Sequence, residues 1–283
     1  MSTAQLHGPE VTTGSVNFLA PPANPKETLF HYANADLANG QYSKNYEFAT
    51  HAVQIENLRG KEQSVSLDTT GFQYFHHAPS HNSFASDEEI KEEYYPESVD
   101  LIKKLTGATK VVIFDHTIRQ RDPGVADTSK SRQPAPVVHG DQTTISSVGR
   151  VHRHLPEPEA AEALKKRFQI INLWRPISVS AYDWPLALCD YRSVKREEDT
   201  VPIKLIYPDF EGETLGVKYS PDYKWKYLYG MTPEEGVLIK CFDSVQDGSV
   251  AIFTPHTAFE DPATPRDAPY RQSIELRALV FYN

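Results

Sequence analysis

Hydrophobic positions along the chain fall mainly in short runs of period two or none, separated by turn residues, which is the pattern of strands rather than of a helical bundle. Ala52–Ile55 and Phe72–Phe75 read as short strands, Val111–Phe114 as a buried one, and Phe168–Arg175 as another, stopped by Pro176. Further strands are predicted near 202–207, 214–219, 224–229, 236–242 and 249–254, with a final one at Arg271–Tyr282. Helical signals are fewer. Ser86-Asp87-Glu88-Glu89 is a capping signature. Pro96 suits the first position of a second helix, whose apolar face is Val99, Ile102 and Leu105 and which Gly107 ends. Glu157–Arg167 reads as a short helix, and Thr232-Pro233-Glu234-Glu235 as a single turn. Residues 1–25 lack this patterning, and prolines at 21, 22 and 25 forbid helix, so they are expected to form an N-terminal arm. Polar and aromatic residues follow at Tyr42, Tyr46 and Phe48. The long polar loop at 120–136 has the character of a substrate lid.

The final strand has two unlike faces. Ile274, Leu276, Ala278, Val280 and Tyr282 make one, and Arg271, Ser273, Glu275, Arg277, Leu279 and Phe281 the other. An ordinary half-exposed strand would turn the arginines to water. A barrel with helices packed outside and a polar cavity inside would reverse that and line the cavity with Arg, Ser, Glu and Arg.

The second reading gains weight from His139-Gly140-Asp141, at the end of the β-branched run Val137-Val138. In extended backbone, positions 139 and 141 project to one side. An imidazole and a carboxylate there supply two of the three ligands of a facial triad on Fe(II). His256, in Phe253-Thr254-Pro255-His256-Thr257-Ala258-Phe259, is the candidate third. His-x-Asp alone reads more readily as a strand-end turn than as a metal site. The downstream Arg271-x-Ser273 and Arg277 add what such a site needs, because a guanidinium holds a carboxylate in two-pronged fashion. His76, His77 and His81 cluster without a carboxylate at fixed spacing. His152 and His154 would share a strand face, but flanking arginines oppose a cation there.

Composition narrows the class further. The 283 residues are 39% hydrophobic and 24% charged, which suits an ordered globular chain, and residues 26–283 are expected to form one domain. A net charge of −9 argues against nucleic acid or an anionic membrane as partner. No run reaches the length of a membrane span, and no apolar leader is apparent. Cys189 and Cys241 lie in no zinc-binding spacing, so a reducing, cytoplasmic setting is expected. A homodimer stays open.

Six blocks carry a family resemblance. They are Val112–Arg119, His139-Gly140-Asp141-Gln142-Thr143, Arg167–Ile177, Leu238–Asp243, Thr254–Phe259 and Arg271–Val280. Together they resemble the AsaB-like hydroxylase/desaturase family of fungal secondary metabolism, to which gibberellin desaturase, the aziridine-forming oxygenases and the cephamycin methoxylation protein are similar. The resemblance covers about residues 25–283. It implies a mainly β fold with flanking helices on a double-stranded β-helix (jelly-roll, cupin-like) core. It also implies Fe(II), 2-oxoglutarate and O₂, with oxidation of an unactivated C–H bond of a small molecule by hydroxylation, desaturation or oxidative cyclisation. His139, Asp141 and His256 fall on its metal-ligand positions. Arg271 (with Ser273) and Arg277 both match arginines of the pattern, and Arg175 is a third carboxylate partner. Leu279, Phe281, Trp174 and Asn172, with Tyr182, are candidates for placing the substrate. Gln142 and Thr143 are candidates for orienting the ligands from outside. The rivals are another metal-dependent jelly-roll enzyme (an isomerase or hydrolase) and a non-catalytic small-molecule-binding barrel.

Overall fold

In the computed structural model, residues 8–22, 24–32, 44–128, 131–208 and 210–283 are described. Residues 1–7 and 23 of the expected arm, and Tyr42, lie outside them. Two sheets face one another. The smaller is antiparallel and runs β4 (Phe72–His76), β12 (Glu235–Asp243), β7 (Phe168–Pro176), β14 (Gln272–Phe281) and β5 (Lys110–Gln120) in that spatial order. Its central strands are buried on both faces because both faces are covered. Ile171, Leu173, Ile274, Leu276, Ala278 and Val280 pack outward against Ile90, Tyr94, Leu101 and Ile102. These last four come from the π turn Ile90–Tyr94 and helix α1 (Tyr95–Thr106). Ser86 accepts the Glu89 amide at 3.3 Å, starting this helical segment. Pro96 sits in the first turn of α1, and Gly107, at φ 73°, ends it. Phe168, Ile170, Leu279 and Phe281 point the other way, into the barrel.

The larger sheet is mixed. Its order is β1 (Val11–Leu19), β3 (Phe48–Asn57), β11 (Trp225–Tyr227), β8 (Leu186–Cys189), β13 (His256–Ala258), β6 (His139–Gly140), β10 (Glu211–Val217), β9 (Thr200–Ile206) and β2 (Leu29–Tyr32). The two curled sheets enclose Trp174, Leu188, Val237 and Ile239, the arrangement of a double-stranded β-helix.

Three expectations are revised. Val11–Leu19, assigned to the arm, is a full strand paired residue by residue with β3. It buries Thr12, Gly14, Val16 and Phe18 on alternate positions, two of which are not apolar and so hide the period. Residues 249–254 form no strand: the Ala251 and Thr254 amides bond the carbonyls of Asp68 and Lys240 instead of a ladder. Thr144–His154 is helix α2, so His152 and His154 share no strand face. A capping box between Thr143 and Ser146 starts α2. His152 pairs with Glu157, while His154 stacks on Phe114 with ring centroids 5.0 Å apart.

One charged cluster ties the smaller sheet to its loops. Lys240 is fully buried, with Nζ 2.8 Å from Asp243 and 2.7 Å from Asp68. Arg167 and Gln169 also donate to Asp243, each at 2.7 Å. Removing one partner of a buried ion pair strands the other charge in low dielectric. Asp243→Ala should therefore lower unfolding stability by about 3 kcal/mol in urea denaturation; a loss below ~1 kcal/mol would show that Asp68 alone suffices for Lys240.

Candidate active site

Strand β6 is only two residues long and is wedged between β10 and β13, which sets His139 directly opposite His256. Each ring is anchored through Nδ1, His139 to the Val137 carbonyl at 2.8 Å and His256 to the Thr254 carbonyl at 3.0 Å. Both Nδ1 atoms are thereby assigned as donors, and both Nε2 atoms are left as acceptors, the form that ligates a metal. Those Nε2 atoms lie 3.4 Å and 3.9 Å from Asp141 Oδ1.

Asp141 follows β6 directly, in the bend before α2. Its other oxygen, Oδ2, accepts from Asn172 Nδ2 at 2.6 Å and from Cys241 Sγ at 3.4 Å. Asn172 reaches inward from β7. Cys241 lies at an irregularity where β12 slips register against β7, a device that re-aims a side chain. One ligand atom from each of His139, Asp141 and His256 lies within 4.8 Å of the others. Two imidazoles and a carboxylate, each oriented by a second hydrogen bond and with one unshared atom turned inward, fit a ferrous ion with positions left open.

The charges of the three groups depend on one another. Burial pushes Asp141 up, but the His139 hydrogen bond and the charges of His256 and His139 hold its carboxyl well below the usual carboxylate range. Burial lowers His139, but pairing with Asp141 reverses the sign and raises it, toward an imidazolium that would have to lose its Nε2 proton before that nitrogen could ligate a metal. Burial and the His139 charge lower His256 and favour its neutral form.

A narrow cleft of about 30 Å³ runs from the triad to Arg271, bordered by Trp174, Leu186, Glu275, Arg119 and Arg277. Arg271 is buried, lies over the Trp174 ring at 5.6 Å, and donates to the Trp184 carbonyl. Its Nε has no partner. Burial, then the charge of Arg119, pulls its pKa down to about 9. Ser273, on the same face of β14, has a buried hydroxyl without a partner but does not border the cleft. Arg277 is committed elsewhere: its guanidinium reaches Glu275, Asp115 at 3.1 Å and Thr117 at 2.9 Å. Arg175 stands apart. Strand alternation turns it outward, where it lies over Phe75 and Tyr94 and donates to the His77 carbonyl at 3.2 Å. It therefore cannot meet a ligand at the triad.

On the other side of Asp141 opens a cavity of about 550 Å³, walled by β5, α2 and the β9–β10 hairpin. Gln142 lines it, whereas Thr143 caps α2 and donates to Glu213 at 2.6 Å. The expected substrate contacts are redistributed. Leu279 and Phe281 are fully enclosed with Phe168, Ile170 and Phe242, and border neither space. Trp174 borders the cleft, and Asn172 serves Asp141. Tyr182 packs on Tyr229 at 5.2 Å, away from both spaces. His77 and His81 pair with Glu97 and Glu93. Cys241, Arg119 and the α2 arginines carried no sequence signal of a role here, whereas the alternation of the last strand put Glu275 on the cavity face with Arg277.

Comparison with known proteins agrees with this geometry. Residues 16–281 match the family model described as "Oxidoreductase/YMDC permease-like domain". Among the described residues no helix is long and apolar enough to cross a membrane. The chain is 32% identical to hydroxylase/desaturase CTB9 of Cercospora beticola, over 99% of this chain and 98% of that protein. It is 31% identical to hydroxylase/desaturase asaB of Aspergillus flavus, over 81% and 80%. The solved structure of the iron and alpha-ketoglutarate-dependent endoperoxidase NvfI superposes with a TM-score of 0.86 at 28% identity, covering 97% of this chain and 99% of that one. The chain belongs to the AsaB-like hydroxylase/desaturase family, whose members are Fe(II)/2-oxoglutarate-dependent oxygenases that use O₂.

Proposed function

We propose that this oxygenase oxidises an unactivated C–H bond of a small molecule bound in the cavity beside Asp141, with His139, Asp141 and His256 as the iron ligands. The carrying observation is the continuity of three features: a triad of ligand atoms within 4.8 Å of one another, a cleft beginning at its histidines, and an under-compensated guanidinium at the cleft's far end. Residues 26–283 make up the catalytic domain in this reading, with β1 adding an edge strand. The free cysteines, Cys189 and Cys241, support a reducing, cytoplasmic setting.

The roles follow from the contacts. When bound, the ferrous ion supplies the activation of O₂ against 2-oxoglutarate that C–H cleavage requires. The Val137 and Thr254 carbonyls fix the two rings so that Nε2 of each faces inward. Asn172 and Cys241 occupy Asp141 Oδ2 and keep Oδ1 directed at the histidines. Arg271 receives the distal carboxylate of 2-oxoglutarate, while Trp174 and Leu186 exclude water along the cleft. The cleft is tighter than the cosubstrate, so these lining side chains must give way as it enters. Arg277 positions the partition between cleft and cavity through Glu275 and Asp115 rather than anchoring the cosubstrate.

Anaerobic titration with Fe(II) and 2-oxoglutarate, read by the visible charge-transfer band, tests the ligand set. His139→Ala, Asp141→Ala and His256→Ala should each abolish the band, and iron binding retained in all three would refute the assignment. Asn172→Ala should leave the three ligands in place but weaken Fe(II) binding about 10- to 100-fold; unchanged affinity would remove Asn172 from the site. Arg271→Gln should raise the 2-oxoglutarate dissociation constant at least about thirtyfold, the equivalent of ~2 kcal/mol. If Arg277→Gln instead shows the larger loss, the two arginines exchange roles.

A further inference from the structure

We propose that the substrate is an organic anion with an apolar or aromatic body, its charge held by Arg150 and Arg153 of α2 and by Arg132 of the facing loop. The inference rests on the reading of the 550 Å³ space as the substrate cavity of this oxygenase. Its basis is a charge imbalance at that wall. The chain as a whole is acidic, with a net charge of −9, yet six cationic side chains line the cavity against four carboxylates. The carboxylates are already engaged. Asp115 pairs with Arg277 at 3.1 Å, Glu211 pairs with Lys204 at 3.2 Å, Glu213 accepts from Thr143, and Asp141 faces the histidines. Arg119 donates to the Gln133 carbonyl and also borders the cosubstrate cleft, so its charge is shared with that end. Arg132, Arg150 and Arg153 have no carboxylate partner among the described residues.

Arg150 and Arg153 stand three residues apart on one helix, where like charges oppose each other. Each rests over an aromatic ring, Arg150 over Phe114 at 5.2 Å and Arg153 over Phe210 at 4.1 Å. Ring contact holds a guanidinium in place without neutralising it. Burial, then the charge of Arg153, depresses the Arg150 pKa, the direction expected of a cation awaiting an anion. The same wall supplies the apolar half of the recognition. Tyr207 and Phe210 stack with centroids 4.2 Å apart and planes 11° apart at the hairpin end, and Ile145 is 74% exposed beside them. An organic acid placed with its charge on these arginines and its body against the rings lies in the cavity that Asp141 also lines.

Two dyes that share one aromatic body separate charge from hydrophobicity. The probes are 8-anilinonaphthalene-1-sulfonate, an anion, and N-phenyl-1-naphthylamine, which is neutral. Fluorescence titration of the metal-free protein should show the anion binding at least about tenfold more tightly than the neutral dye. The double variant R150Q/R153Q should erase most of that difference, and R132Q should reduce it, each with its melting temperature recorded. R132Q carries the test if the double variant does not fold. Equal affinities in the wild type, or a preference unchanged in the folded variants, would overturn the proposal. The charge-transfer band is measured on the same wild-type preparation. Its absence defeats the oxygenase site itself, whereas a normal band with equal dye affinities defeats only the anionic-substrate claim.

Discussion

Strand alternation inside a sheet covered on both sides governs this molecule. Successive residues of β14 must face opposite ways, and α1 with its preceding π turn covers the side taken by Ile274, Leu276, Ala278 and Val280. The remaining face, with Arg271 just ahead of it and Ser273, Glu275 and Arg277 along it, therefore turns into the barrel. Charges there cannot be left to water. They are neutralised by one another, as Arg277 is by Glu275 and Asp115, or keep an unpartnered donor, as Arg271 does at Nε. The polar interior is thus a consequence of covering the sheet from outside, and the triad on the opposite sheet looks onto it.

The division of Asp141 between two sets of partners is the local counterpart. A carboxylate has two oxygens, and here they face different neighbours. Asn172 and Cys241 engage Oδ2, and the two imidazoles face Oδ1. Asn172 reaches it because the inward positions of β7 are the even ones. Cys241 reaches it because β12 slips register between Lys240 and Phe242. Burial alone would raise the acid's pKa and favour its protonated form, and the His139 hydrogen bond with the charges of His256 and His139 keeps it an anion inside the barrel.

Much of this was legible in the sequence because long apolar runs and strict alternation survive any tertiary context. The strands at 168–176 and 272–281, the α1 boundaries set by Pro96 and Gly107, and the pairing of His139-x-Asp141 with a distant His256 were all readable. What failed depended on information that spacing does not hold. The β1 period was masked by Thr12 and Gly14 on its buried face. Helix α2 begins at a Thr-x-x-Ser box that lacks the acidic residue of the usual signal. Arg175 seemed a carboxylate partner until the register β7 takes against β14 set it opposite Ile274, on the helix-covered face. Leu279 and Phe281 share a face with Arg277 but lie beyond the end of both cavities, a distance along the strand that residue type does not reveal. The role of Cys241 rests on an irregularity in strand pairing and had no signal in the sequence.

The two arginines of the Arg271–Arg277 strand face differ in how far their charge is already compensated. Burial pulls Arg277 down, but Glu275, Asp141 and Asp115 more than offset it and raise its pKa. A further anion would gain little there. Arg271 is depressed and makes its side-chain hydrogen bond to the neutral carbonyl of Trp184, a residue held at φ 45°, in the left-handed region that side chains rarely adopt. Backbone held in that region is sustained by its surroundings, and here it turns a carbonyl toward a guanidinium that has no carboxylate of its own. A carboxylate there would add an opposite charge that the carbonyl lacks and would give the unpartnered Nε an acceptor as well. The guanidinium left without a carboxylate is therefore that of Arg271, which lines the narrow cleft and not the larger cavity.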